Sequence, residues 1–131
     1  MLPRKFYFEA GAFTSGTTIL EWNGENLCFF EQETPCIPNF VDDYMSIIPS
    51  DEMWQNFENG LEAIGAFSWD DEYSDDSILD GMCIEIWITF RRRVKCTCYN
   101  ALPPNFNLFL DLLNALTKAN PSDEDLITGL L

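Results

Sequence analysis

From Met82 to Phe90 apolar side chains fall at every second position, as Met82, Ile84, Ile86, Ile88 and Phe90, alternating with Cys83, Glu85, Trp87 and Thr89. A two-residue period sends successive side chains to opposite faces of a strand, so this segment belongs in a sheet with one well-buried face. Its partner follows at once: Arg91, Arg92 and Arg93 form the turn region and Val94 to Tyr99 returns as a second strand. Three shorter strands are predicted near the start of the chain, around Phe6 to Phe8, Thr17 to Trp22 and Leu27 to Phe30. Gly11 and Ser15-Gly16 punctuate the first connection, and Asn23-Gly24 is a strong hairpin signal because both residues tolerate a positive φ. Thr34-Pro35, Pro38 and Pro49 then interrupt regular structure, which makes 36–48 a crossing loop or a short irregular strand.

The period changes to that of a helix in two places. Ser50 is a predicted N-cap, Asp51 and Glu52 fill the first turn where they favour the positive end of the helix dipole, and Met53, Trp54, Phe57, Leu61 and Ile64 recur at helical spacing. Gly60 weakens this helix by about 1 kcal/mol relative to alanine, and Gly65 ends it. Pro103-Pro104 opens a second helix whose stripe is Phe106, Phe109, Leu110, Leu113 and Leu116; Asn120-Pro121 closes it before a short capped turn or tail from Ser122. The order strands, helix, strands, helix predicts an α+β fold, an antiparallel sheet of about four to six strands with two main helices packed on one face. The 131 residues fit a single domain over 1–131, and a hydrophobic fraction of 47% with eleven Phe and four Trp is too apolar for an acidic disordered tail.

Several function classes drop out on residue types. The chain has no histidine, which removes Ser-His-Asp and Cys-His catalysis. It carries neither a G-x-x-x-x-G-K-[ST] phosphate loop nor a G-x-G-x-x-G turn. The carboxylates are strung along loops rather than paired across a sugar-sized cleft, so glycoside hydrolysis has no warrant. The acids between Trp69 and Gly81 fail the spacing of a calcium loop: with Asp76, Asp80 and Gly81 aligned, Ile78 falls on a ligand position and Trp87 where glutamate belongs. Five cysteines, Cys28, Cys36, Cys83, Cys96 and Cys98, are odd in number and lack C-x-x-C spacing, which favours buried thiols over a disulfide framework. Cys96 and Cys98 alternate onto one strand face and could supply half of a zinc site, but no second close pair completes it. No enzyme activity, cofactor or metal is therefore expected. No apolar run approaches the roughly 18 residues of a membrane span, and the N-terminus lacks a signal-peptide stretch, so a cytoplasmic location is expected.

Charge is the remaining signal. Twenty-two acids against seven bases give a formal net charge of −15. Four of the bases, Arg91, Arg92, Arg93 and Lys95, sit in one short hairpin, which leaves 22 acids against 3 bases, −19, on the rest. Such an excess costs self-repulsion in the compact state and repels nucleic acid and anionic membranes, whereas it steers a basic protein into contact. Two surfaces could make that contact. The first is the acidic segment, with Asp70, Asp71, Glu72, Asp75 and Asp76 supplying carboxylates and Trp69 and Tyr73 supplying aromatic anchors; the bland alternative is that the two aromatics pin the segment to the core. The second comprises Asp42, Asp43 and Tyr44, with Asp51 and Glu52 nearby, although the last two already serve a helix terminus. The basic hairpin Arg91 to Lys95 could instead contact phosphate, but it reads first as a counterweight to the acids or as protection of a sheet edge.

In size, acidity and α+β pattern the chain resembles small acidic bacterial immunity-type proteins, and the segments Asp80-Gly81-Met82-Cys83-Ile84-Glu85-Ile86-Trp87 and Tyr99-Asn100-Ala101-Leu102-Pro103-Pro104-Asn105-Phe106 are similar to a pattern of small uncharacterised bacterial proteins. It departs from them in carrying Cys98-Tyr99-Asn100 where Gly-Ser-Asn is common before the proline turn, and no residue roles carry over. The charge excess combined with the missing active site, and the resemblance beside them, lead to the expectation of an acidic inhibitor that neutralises a basic enzyme such as a nuclease toxin by occupying its positively charged site. Two other readings keep the same composition: a phage-type nucleic-acid mimic directed at a host defence protein, and an acidic adaptor domain of a larger assembly.

Overall fold

The computed structural model describes residues 2–12, 16–32, 43–75 and 81–118. They form seven strands and two helices: β1 (Lys5–Ala12), β2 (Gly16–Trp22), β3 (Leu27–Gln32), β4 (Asp43–Ile47), α1 (Asp51–Ala63), β5 (Glu72–Ser74), β6 (Met82–Thr89), β7 (Arg93–Tyr99) and α2 (Phe106–Thr117), with a 3₁₀ turn at Ala66–Ser68 after α1. The strands build one sheet in the order β4-β3-β2-β1-β6-β7-β5. Every neighbouring pair is antiparallel except β5, which runs parallel to β7. The class is α+β as the element order predicts, but the sheet has seven strands instead of four to six and is mixed instead of purely antiparallel.

β4 realises the short-strand alternative for 36–48, and β5 is the strand with no signal of its own. β4 falls within the proline-flanked stretch 36–48, which carries no clean alternation, and is held by pairing with β3 from Leu27↔Ile47 to Glu31↔Asp43. β5 is three residues of the acidic stretch between Trp69 and Gly81, whose run of carboxylates predicts a solvated loop; Glu72 to Ser74 form a short edge strand instead. Gly11 lies inside β1, opposite Thr17, and does not belong to the turn: a Cβ there would stand 2.9 Å from Thr17 Oγ1. The β2–β3 turn is shifted by one residue from Asn23-Gly24. Asn23 N donates to Asn26 O, the Asn23 side-chain oxygen accepts from Glu25 N and Asn26 N, and only Gly24 takes a positive φ, of 98°.

The core lies between the sheet and the helices. Phe6, Phe8 and Ala10 of β1, Ile84, Ile86 and Ile88 of β6, and Val94, Cys96 and Cys98 of β7 all turn inward and are buried. Against them sit Trp54, Phe57 and Leu61 of α1 and the whole predicted stripe of α2. Trp54 is the centre of an aromatic cluster, edge-on to Trp22 (5.2 Å between ring centroids), Phe6 (5.7 Å) and Phe90 (6.2 Å), the spacing at which ring pairs attract. Its indole N–H is buried without an acceptor among the described residues, a cost of about 1–3 kcal/mol that ring packing must outweigh. Ser50 caps α1 by accepting from Met53 N at 3.1 Å. Gly60, a weak helix former, is explained by the second helix: a Cβ there would run into the side chain of Leu112 in α2.

Gly65 turns the chain out of α1 with φ 79°, and nothing lies within 4 Å of where its Cβ would be. Gly65→Ala therefore tests backbone strain alone. It should lower stability by about 1 kcal/mol in urea denaturation without changing the dependence on urea. No loss would mean that the left-handed exit from α1 is not required.

Candidate binding surface

With the helices on one side, the opposite face of the sheet is left without a covering layer among the described residues, and the pairing registers fix what it displays. The outward residues of β1 and β6 are Lys5, Tyr7 and Glu9 and Cys83, Glu85, Trp87 and Thr89; those of β7 are Arg93, Lys95, Thr97 and Tyr99. β2 adds Thr17, Ile19 and Glu21. Trp87 remains 36% exposed and Tyr99 46%, large apolar areas for an uncovered surface.

Charge on this side is sorted by position. Arg4 N donates to Thr89 O, Lys5 stands opposite Thr89, and Thr89 stands opposite Arg93. The start of β1 is thereby brought beside the β6–β7 turn, and six of the seven bases (Arg4, Lys5, Arg91, Arg92, Arg93 and Lys95) collect at one corner of the sheet. Trp87 is clasped by two of them, with Lys5 Nζ 4.1 Å and Lys95 Nζ 4.4 Å from its ring centroid. Arg92 points the other way, stacked on Phe67 at 4.1 Å and paired with Glu62 at 3.4 Å, which anchors the turn to the end of α1. Among the described residues Lys118 is the one base outside this corner, set against 15 acids, of which Glu62 is the partner of Arg92.

One step along the strands the sign reverses. Glu9 stands opposite Glu85, and Glu21 lies opposite Tyr7. Like charges directly across a sheet repel, so this arrangement costs stability. Tyr7 sits among them, donating its phenol to Glu9 Oε1 at 3.0 Å. Burial, then the carboxylates of Glu9, Glu85 and Glu21, push the Tyr7 phenol well above its ordinary value, because the phenolate would be a further negative charge in an already negative place.

The first segment singled out from the sequence occupies the sheet edge beside β7. Asp70, Asp71 and Glu72 are exposed, and Glu72 and Tyr73 pair with Thr97 and Cys98. Trp69 and Tyr73 point back into the molecule: Trp69 packs edge-on to Phe109 at 5.5 Å and donates its indole N–H to Pro104 O, and the Tyr73 hydroxyl accepts from Asp70 N. Both ring systems pack against the core, which is the pinning role. Asp75 N donates to Tyr99 O, while Asp76 lies outside the described residues. In the second surface Asp43 and Tyr44 are in β4, paired with Glu31 and Phe30, and Asp42 lies outside the described residues. Asp51 and Glu52 are exposed in the first turn of α1.

The residues of this face that the sequence reading did not single out are Lys5, Trp87, Thr97 and Tyr99, whose only local trace is the outward half of the alternating strands β1, β6 and β7. Cys96 and Cys98 face the core with their sulfurs 3.7 Å apart, and the contact with Cys98 together with burial pushes the Cys96 thiol up. Among the described residues no group of three or more His, Cys, Asp or Glu could hold a metal ion, and no helix is long and apolar enough to cross a membrane.

The surroundings of Tyr7 set a pH dependence. A phenol harder to ionise in the folded chain than in the unfolded one contributes stability fully below its unfolded value, about pH 10, and loses it as the pH rises further. The stability difference between Tyr7→Phe and the parent should be constant below pH ~10 and then move in favour of the variant. Urea denaturation at stepped pH reads this directly; an offset that stays constant throughout would contradict the environment described. Comparison of the chain with protein-family models, with curated proteins and with solved structures finds no match.

Proposed function

We propose that this chain is a non-catalytic acidic binding protein that neutralises a basic, nucleic-acid-handling enzyme of the nuclease-toxin kind by occupying its positively charged site. The observation that supports this most directly is the sorting of charge. With six bases gathered at one corner, the described surface beyond it is acidic but for Lys118, and the exposed edge carboxylates Asp70, Asp71 and Glu72 lie where that acidic surface meets the corner. An evenly mixed surface with the same net charge would present a weaker field to any one partner, whereas a segregated one steers encounter and orients the complex. The contact therefore falls on the edge carboxylates and the acidic stretch of the open face. Trp69 and Tyr73 hold the edge in place and do not act as anchors in the partner.

Capture from a cell extract on the immobilised chain, followed by identification of the proteins released by a salt step, tests the class of partner. A basic nucleic-acid-handling enzyme is the expected catch; partners of ordinary charge that elute without regard to salt would overturn the reading. For the captured partner, the association rate constant should fall about tenfold or more between low and high ionic strength. Reversing the edge with Asp70→Lys, Asp71→Lys and Glu72→Lys should slow association by about the same factor at low salt while the dissociation rate changes less.

A further inference from the structure

The edge carboxylates share a groove with part of the basic corner. A depression of about 480 Å³ is lined by Asp71 and Glu72 on one side and by Arg93, Lys95, Thr97 and Tyr99, the outward row of β7, on the other. That volume is in the range of ~300–1,000 Å³ typical of sites for small ligands. We infer that this groove binds an extended peptide segment of mixed sign, with a carboxylate received by Arg93 and Lys95 and a cationic side chain received by Asp71 and Glu72.

Three features lead there. The two walls have opposite charge yet do not neutralise each other: among the described residues the ion pair formed is Arg92 with Glu62, and neither Arg93 nor Lys95 pairs with Asp71 or Glu72. Glu72 stands opposite Thr97 in the parallel β5–β7 pair, so Lys95, two residues along β7, is its diagonal neighbour on the same face. Lys95 instead holds its ammonium over Trp87, 4.4 Å from the ring centroid. The walls are thus kept apart, and a ligand carrying both signs can bridge them without breaking an existing pair. Second, the spacing suits a chain. Arg93, Lys95, Thr97 and Tyr99 lie on alternate residues, roughly 7 Å apart, which is the repeat of an extended peptide lying along the same direction. Third, the site can hydrogen-bond as well as attract, since Thr97 and Tyr99 add hydroxyl groups and the half-exposed Tyr99 ring adds apolar contact.

A purely basic ligand would satisfy the carboxylates while meeting Arg93 and Lys95 with like charge, and a purely acidic one would meet the reverse. A segment with a lysine or arginine two residues from a glutamate or aspartate fits both walls. This goes beyond the basic-partner reading, with which it shares only Asp71 and Glu72.

The test is a titration of the isolated, isotope-labelled chain with the capped peptide acetyl-Lys-Gly-Glu-amide and two single-signed controls in which either the glutamate or the lysine is replaced by glutamine. The amides of Arg93 to Tyr99 and the Trp87 indole N–H should shift with the mixed peptide, and its dissociation constant should be at least about fivefold lower than that of either control. Arg93→Gln with Lys95→Gln should bring the mixed peptide to the level of the lysine-only control. Asp71→Asn with Glu72→Gln should bring it to that of the glutamate-only control. All four side chains are exposed or lie on the outer face, and far-ultraviolet circular dichroism confirms that the variants remain folded. Equal binding of the three peptides, or no shift along β7, overturns the inference. Because no protein partner is present, that failure would leave the basic-partner reading standing, and a failed capture experiment would leave the groove standing.

Discussion

The pairing of β1 with β6 is the contact on which both the core and the charge pattern depend. It joins the start of the chain to a strand 70 to 84 positions later, from Ala12↔Met82 to Lys5↔Thr89, and it puts β1 in the middle of the sheet instead of at its edge. Closing a loop of that length costs conformational entropy that local contacts cannot return, so the pairing must be held by what it buries. It buries two facing rows of apolar side chains: Phe6, Phe8 and Ala10 beside Ile84, Ile86 and Ile88. α1 and α2 close over those rows, and the ring cluster around Trp54 joins β1, α1 and the residue that follows β6, Phe90.

The same register that builds the core also decides the surface. Because Arg4 and Lys5 are laid beside Thr89, they reach the corner that already holds Arg91 to Lys95. Because the strand period is two, Trp87 and Tyr99 are turned outward by the alternation that turns Ile86, Ile88 and Cys98 inward. The repulsion between Glu9 and Glu85 is a direct consequence as well, and burial around them supplies the stability that offsets it. Core and open face are thus two sides of one register, and a one-residue slip would exchange them.

The parts of this fold that could be seen in the sequence are those with a strong period. The alternation from Met82 to Phe90 and the stripes of both helices appear in the structure at the positions expected, down to the Ser50 cap and the Gly65 exit. β4 was legible only as one of two alternatives for 36–48 and β5 not at all, for physical reasons: each is short, one lies among prolines and the other is largely acidic, and both exist because a neighbouring strand offers hydrogen bonds to an edge. The acidic edge was visible as composition, and the pinning of Trp69 and Tyr73 stood as the plain alternative. The basic corner was not visible in full, since only its hairpin half is local. Lys5 joins Lys95 on Trp87 through a contact across the whole chain, which no window of sequence contains.

Segregation of charge can be measured at each residue without any partner. Solvent paramagnetic relaxation of backbone amides by a cationic and by an anionic nitroxide reports the local potential from the ratio of the two effects. The account predicts a near-neutral or positive potential at residues 4–5 and 89–95 and a strongly negative one at 70–72 and in the first turn of α1. A uniformly negative surface, with residues 89–95 no different from 70–72, would contradict it.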